Sequence, residues 1–476
     1  MEGGVSNPRA PATLHYALIV VVFAVSRGLY YAAGASFDDL DLDSMWHFVD
    51  PELLRQHLLE SVWHLHFQPP LFNLYLGVVL KSFGAHAHQA FATSFALVGV
   101  GFACCLLWLM RACGVGARCA WLLTALLVIS PAHLLYESFL FYSYPVMAAL
   151  SAAAVALAIA ARRRSAAAWL VAFGLLAAVV LTRALFHPAW LLALAIALAV
   201  LRPGDRRALI ASAAVPLLIV GLWCGKNWLL FDTPGTSSWL GLGLARMTVR
   251  NLPAPVRERW IAERALSPLS AFRPPPSLVE SAQVIPLPAP TGIAVLDQVA
   301  KPSGAINLHH RAYVEISRQL GRDARYALIH RPDVYLRAAY GAFRRFVSPA
   351  ADWHALVRNR ARIAGYAKAH TAVVYLSFAL GRGGLVLIAL LVLVPFGLRA
   401  SAHALRADRH DPRGLVLAFM SSTLAYVMLA GCLLEPRENM RFRLLVEPFL
   451  WVLLGVAIDR VWQLRHAKAA RSRAAR

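Results

Sequence analysis

The strongest constraint on this chain is the spacing of its apolar runs. They cover residues 13–34, 88–110, 119–136, 141–161, 166–182, 185–201, 208–224, 371–398, 414–433 and 443–459. Each approaches the ~20 residues that a helix needs to cross a ~30 Å hydrocarbon core. A bilayer offers no solvent to backbone N–H and C=O groups, so such runs fold as helices that satisfy their own hydrogen bonds. The predicted fold is an all-α polytopic membrane protein with about ten transmembrane helices. With 59% hydrophobic and 15% charged residues, composition excludes an ordinary soluble protein and a disordered one.

Charge placement orients the runs. The turns at 111–118, 162–164, 202–207 and 399–413 are rich in Arg, and so is the tail, with Arg460, Arg465, Lys468, Arg471, Arg473 and Arg476. All of them lie inside if both chain ends are cytoplasmic, as the positive-inside bias requires. The loop at 35–84 is then outside. It holds seven acids (Asp38, Asp39, Asp41, Asp43, Asp50, Glu52, Glu60) against Arg55 and Lys81. Within it, the apolar piece at 71–80 follows Pro69 and Pro70 and is too short to cross. Counting it as a span would put every later Arg turn outside, so it reads as an interfacial or re-entrant helix. The first run has only Arg9 as a basic flank, and AAGAS resembles a cleavage site. Its length marks it as a retained first helix.

Three regions follow. Residues 1–225 form an N-terminal transmembrane module whose first outer loop, 35–84, carries the predicted chemistry. Residues 226–370 form an extracytoplasmic domain. It is Pro-rich at first, then helical in period, with a break at Pro332. Residues 371–476 form a C-terminal transmembrane module with a basic cytoplasmic tail. The formal charge of +22 is explained by inward-facing turns and the basic outer segment. The patterns of a nucleic-acid-binding domain are absent, so membrane lipids are the expected partner and nucleic acid is not. No Cys pair has metal or redox spacing; Cys224 and Cys432 are the pair placed for a bridge near the outer face.

Acids at a membrane surface are costly unless they serve chemistry or ion handling. Asp38, Asp39, Asp41 and Asp43 sit in FDDLDLD, where 39, 41 and 43 share a face of an extended chain. One of them would act as general base on an acceptor hydroxyl; the alternative role is to hold a divalent cation. His64 and His66 alternate in WHLHFQPP without a third ligand nearby, which disfavours zinc. His66 and Gln68 are instead hydrogen-bond donors for a phosphate or sugar. Arg27 lies inside the first run, where it would bind phosphate or pair with a first-loop acid. Arg183 and His187 mark the turn between the fifth and sixth runs, and Lys226 follows the seventh. Arg437, Arg441 and Arg443 surround Glu435 and Glu438 in the last outer loop.

The acidic first loop, the amphipathic segment after it and HFQPPLF entering a short apolar helix resemble the polyprenyl-phosphate-dependent membrane glycosyltransferases of the GT-C fold. That family includes the aminoarabinose transferases and the protein mannosyltransferase-like enzymes. SPAHLLYESFLFYSYP, KNWLLFDTPGTSSWLGLGL and LEPRENMRFRLLVEPFL resemble later elements of the same family. The resemblance implies a bacterial inner-membrane enzyme with its active site on the outer face. It would move a sugar, with inversion, from a polyprenyl-phosphate carrier to a glycan, lipid or protein acceptor. It further implies Asp39 or Asp41 as the first choice of base, ahead of Asp38 and Asp43. Glu137 would be a second acid, and Arg27, His66, Gln68, Arg183, Lys226 and Arg441 would be donor-binding groups. Some members place Lys where this chain has Gln68, so another cation must hold the phosphate. The rival readings are a lipid-linked glycan flippase and a non-catalytic envelope assembly protein.

Overall fold

A computed structural model of the protein describes residues 13–474; Arg9 and Arg476 lie outside them, as do the side chains of Lys468, Arg471 and Arg473. The described chain is helical, and its extended pairings are the isolated bridges Asp38–Phe139 and Ala300–Ile306. The first half contains α1 (Thr13–Ala32), α2 (Pro51–Gln56), α3 (Leu58–Trp63), α4 (Leu71–Phe83), α5 (Ala87–Ala112), α6 (Ala117–Val128), α7 (Pro131–Glu137), α8 (Ser143–Arg163), α9 (Ala166–Val180), α10 (Pro188–Leu201) and α11 (Arg206–Phe231). Short helices follow: α12 (Leu240–Met247), α13 (Ala254–Ala262), α14 (Leu278–Ala282) and α15 (Ala294–Asp297). The rest comprises α16 (Ala312–His330), α17 (Pro332–Val347), α18 (Val357–Arg362), α19 (Ala364–Val374), α20 (Ser377–Ala407), α21 (Pro412–Leu434) and α22 (Asn439–Ala474).

Six described stretches are long and apolar enough to cross a bilayer: α1, the α4–α5 stretch, α8, α11 with the turn before it, α20 and α21. The α6–α7 pair, bent by 56°, makes a seventh if counted as one. Two physical reasons separate this from the expected ten. Helices α9 and α10 have 15 and 14 residues, or about 21–23 Å of helix against a ~30 Å core. Helix α22 is long enough but carries Arg441, Arg443, Glu447 and Asp459 in its apolar half.

Local sequence sets the breaks. Ser130 caps α7, accepting the His133 N–H at 3.4 Å, and Pro131 opens the helix with its φ already helical. His187 and Pro188 start α10 in the same way, and Asp411 and Pro412 start α21. Helix α4 does not run on into α5. Gly84 takes a φ of 51°, and the Tyr75 and Phe91 rings meet at 5.7 Å. In one straight helix they would be about 24 Å apart. The short apolar helix anticipated at 71–80 is therefore one limb of a hairpin. Its first N–H donates to the Leu181 carbonyl at 2.9 Å, tying the hairpin to the 181–187 turn.

Two apolar cores result. The larger runs through the long helices and also takes in Phe346 of α17 and Trp353 and Ile363 from the segment after it. The smaller is built by α12, α16 and their neighbours, with Leu242, Tyr313, Ile316 and Leu320 at its centre, and Phe67 of the first loop inserts into it. Gly241 makes the α12–α16 contact close: a Cβ there would stand 1.8 Å from the Ser317 carbonyl oxygen. All six cysteines are free, so the bridge anticipated between Cys224 and Cys432 is not formed.

Candidate functional site

The segment between α7 and α8 organises the site. Asp38 donates its N–H to the Ser138 carbonyl at 2.7 Å, and its own carbonyl accepts the Leu140 N–H at 2.9 Å. The first loop is thereby stitched to the strand-like stretch that presents Phe141 and Tyr142. The Tyr142 hydroxyl meets the Arg183 guanidinium from the 181–187 turn. It also accepts from Arg441 of α22 at 3.2 Å. Both guanidiniums are buried. Arg441 pairs with Glu438 and lies over the Phe141 and Trp353 rings, 4.7 and 4.9 Å from their centroids.

His47 completes this group. Its ring stands edge-on to Phe141 and Tyr142, at 5.3 and 5.7 Å. Its Nδ1 is closed to solvent and has no hydrogen-bond partner. Burial holds the imidazole well below its ordinary pKa, helped by Arg441, Arg183, Arg246 and Lys301, so it is neutral. Lys301 donates to the Met45 carbonyl at 2.7 Å. Burial pushes its ammonium down to about 8, against the pull of Asp50 and Asp43. Arg246 pairs with Glu435 at 2.8 Å. Burial raises the Glu435 pKa; it also opposes ionisation of Glu438, but Arg441, Arg183 and Arg246 outweigh it there and hold Glu438 below the usual range. Two planar guanidiniums aimed at one phenol oxygen, beside a neutral imidazole, form a polar floor suited to an oxyanion.

The predicted acids fall into different surroundings. Asp38 is buried and gripped by both ends of the Arg358 fork, at 2.8 and 2.6 Å. Asp41 reaches the same guanidinium at 3.3 Å. Asp39 lies 3.0 Å from His88 Nδ1. Asp43 is exposed and has no ion-pair partner among the described residues; its carbonyl accepts from Ser303 at 2.9 Å. Glu137 is buried against Arg27 and accepts from Tyr144 at 3.1 Å. Arg27 therefore pairs with Glu137, not with a first-loop acid, and also donates to the Val128 carbonyl at 2.9 Å. Gly99 makes room for this pair: a Cβ there would stand 2.8 Å from Glu137 Oε2.

His66, Gln68 and Lys226 belong to a second group. His66 is buried between Ser238 Oγ and the His309 carbonyl, each 2.9 Å from a ring nitrogen, and burial takes it to about 4. Lys226 lies within α11, where it donates to the Leu65 carbonyl at 2.8 Å and covers the Trp223 ring at 3.7 Å. Gln68 is buried just before α4. Their partners are a different set from those of Arg183 and Arg441. Two surface clefts, of about 500 and 780 Å³, lie beside α2–α3 and between the end of α11 and α16; neither is lined by Tyr142, Arg183 or Arg441, and the second is lined by Phe231, whose ring stands 4.9 Å from that of His66. Among the described residues, no three His, Cys, Asp or Glu side chains gather as metal ligands.

Sequence reading did not single out Tyr142, His47, Arg246, Lys301 or Arg358. Each is an ordinary residue in its local context, and only its long-range partner distinguishes it.

The helices and their apolar faces define an integral membrane protein. No protein-family profile and no curated protein matches the chain. Among solved structures it is similar to ArnT from Cupriavidus metallidurans bound to undecaprenyl phosphate, at 18% identity and a TM-score of 0.30, over 92% of this chain and 77% of that one. The apo state of the same protein gives 16% and 0.29 over the same shares.

Proposed function

We propose that this protein transfers a sugar from a polyprenyl-phosphate carrier to an acceptor hydroxyl at the outer face of the bacterial inner membrane. The observation that carries the reading is the convergence of Arg183 and Arg441 on the Tyr142 hydroxyl, beside neutral His47. That floor suits the carrier phosphate, whose negative charge grows as the sugar leaves. In the transfer step the acceptor oxygen bonds to the anomeric carbon. The bond from that carbon to the phosphate oxygen breaks, and its electron pair leaves with the phosphate. The hydroxyl proton passes to a first-loop carboxylate. Inversion follows from direct displacement.

Asp38 and Glu137 are engaged by Arg358 and Arg27, which suits positioning more than proton transfer. Asp39, Asp41 and Asp43 remain for the base. Asp43 has no ion-pair partner among the described residues and lies on the stretch that leads to His47. The sugar and the acceptor class are open to the same experiment.

The test is binding of undecaprenyl phosphate to the full-length protein in nanodiscs, followed by comparison of envelope glycans with and without it. Binding should weaken in Arg183→Ala and Arg441→Ala, and one glycan should lose a sugar. Failure of the wild type to bind the carrier overturns the reading. Carrier binding with transbilayer movement and no transfer would favour a flippase.

A further inference from the structure

Helix α18 carries Arg358, Asn359 and Arg360 in succession. Successive residues of a helix are rotated by about 100°, so the three side chains leave it in different directions. Each meets a different part of the molecule. Arg358 takes Asp38 through its fork and reaches Asp41 at 3.3 Å. Asn359 is buried, and its amide pairs twice with the backbone of Ser36. It accepts the Ser36 N–H at 3.2 Å and donates to the Ser36 carbonyl at 2.6 Å. The same amide nitrogen donates to Ser138 Oγ at 3.4 Å. Arg360 pairs instead with Asp352, at 3.0 Å.

Asp352 is held from a second side by Arg382 of α20, at 2.6 Å. It ends the 350–352 turn, and the next residue is the buried Trp353. The Trp353 ring stacks on Tyr136 at 5.6 Å and packs against the Arg441 guanidinium, 4.9 Å from its centroid. One short helix therefore connects the root of the acidic loop to a ring that holds one cation of the phosphate floor. The bonds to Ser36 come two residues before the bridge from Asp38 to Phe139. The backbone at 36–38 is thus fixed by α18 and by the α7–α8 segment, just ahead of Asp39, Asp41 and Asp43. Two hydrogen bonds from one amide to one backbone residue constrain both distance and angle.

We propose that α18 is a brace that sets the first-loop carboxylates in place against the Arg183–Arg441 floor, with Asn359 as its positioning residue. Asn359 acts through Ser36 and not by contact with carrier or acceptor. The inference rests on the sugar-transfer reading and adds to it which residues hold the base. Proton transfer requires the base within hydrogen-bond reach of the acceptor hydroxyl, and a displacement of about 1 Å can cost ~10²-fold in rate. The carrier phosphate, by contrast, is bound by the floor.

The experiment compares full-length wild type, Asn359→Ala, Asn359→Gln and Arg358→Gln. Native mass spectrometry in nanodiscs reads undecaprenyl phosphate binding. Hydrogen exchange reads the mobility of residues 36–48. The sugar content of envelope glycans reads transfer in cells, at matched amounts of folded protein. Asn359→Ala should speed exchange across 36–48 and lower transfer by about tenfold or more, with carrier affinity within about threefold of wild type. Asn359→Gln, whose amide can still pair with Ser36, should recover part of both losses. Arg358→Gln alters a partly exposed side chain and should show the same split, even where Asn359→Ala folds poorly. A purely structural role would lower carrier affinity together with transfer, and that parallel loss overturns the proposal. Wild-type loop exchange or undiminished transfer in Asn359→Ala and Arg358→Gln overturns it too. Absence of carrier binding in the wild type is a separate result: it overturns the sugar-transfer reading itself, and the brace's part in transfer with it.

Discussion

Arg441 donates to the hydroxyl of Tyr142 at 3.2 Å, across 299 positions of sequence. The contact joins the last long helix to the segment just before α8, and Arg183 reaches the same oxygen from between them. If this floor holds the carrier phosphate, each guanidinium supplies charge-assisted bonds to it. Arg183→Ala or Arg441→Ala should weaken undecaprenyl phosphate binding by one to two orders of magnitude, or about 1.5–3 kcal/mol each. Native mass spectrometry in nanodiscs would measure this; a change below threefold would count against the floor.

His47 separates packing from chemistry cleanly. Phe at this position keeps the edge-on contacts with Phe141 and Tyr142, whereas Asn keeps a polar atom near Nδ1. If the nitrogen contacts the phosphate, His47→Asn should retain carrier binding and His47→Phe should lose about tenfold or more. The opposite order would reduce His47 to a packing residue.

The Arg27–Glu137 pair is predicted to be a matter of stability first. Both side chains are buried, and removing one leaves a charge without its partner. Glu137→Ala should destabilise by about 3–5 kcal/mol. The double change Arg27→Met/Glu137→Met should recover much of that loss, because it removes both charges and keeps volume. If the recovered double variant also transfers sugar normally, Glu137 has no part in the chemistry.

Asp38→Asn breaks the fork from Arg358, which is itself partly exposed. Solvent screening limits the loss to about 1 kcal/mol. Asp43→Asn should leave the melting temperature within error and remove transfer. Equal activity in Asp43→Asn and wild type would return the base to Asp39 or Asp41.

His66 predicts a pH dependence of folding. Its native pKa of about 4 lies below the unfolded value near 6.5. The folded state therefore binds fewer protons between those values. The stability from the neutral ring is present in full above about 6.5 and declines as pH falls toward 4, by roughly 3 kcal/mol over the window. Melts at pH 7.5 and 4.5 should show this loss in wild type and a smaller one in His66→Gln. Equal loss in both would assign the pH dependence elsewhere.

Much of the fold was legible because membrane helices announce themselves locally. Pro131, Pro188, Pro332 and Pro412 each stand at a helix start, where a missing N–H and a fixed φ cost nothing. The span count was less legible. Residues 166–201 look like two full crossings by hydropathy, yet Arg183 sits in a break that leaves two short helices. The site was legible only in part. Arg183 and Arg441 were visible as cations near apolar runs, but nothing local pairs them through Tyr142. Asp38 stood with Asp43 behind Asp39 and Asp41 as the base, but nothing local marked it for the ion pair in which Arg358, 320 positions away, takes both its oxygens.

By itself, the sequence determined an all-helical membrane chain, its turns rich in arginine and an acidic first loop, because hydropathy and backbone satisfaction act within one helix. Tertiary structure alone decided which charges meet. It spent Glu137 on Arg27 and Asp38 on Arg358, left Asp43 without an ion-pair partner among the described residues, and brought two distant arginines to one phenol oxygen. Those outcomes depend on how helices pack across hundreds of residues, and a pairwise Coulomb or hydrogen-bond preference has no address in a linear chain.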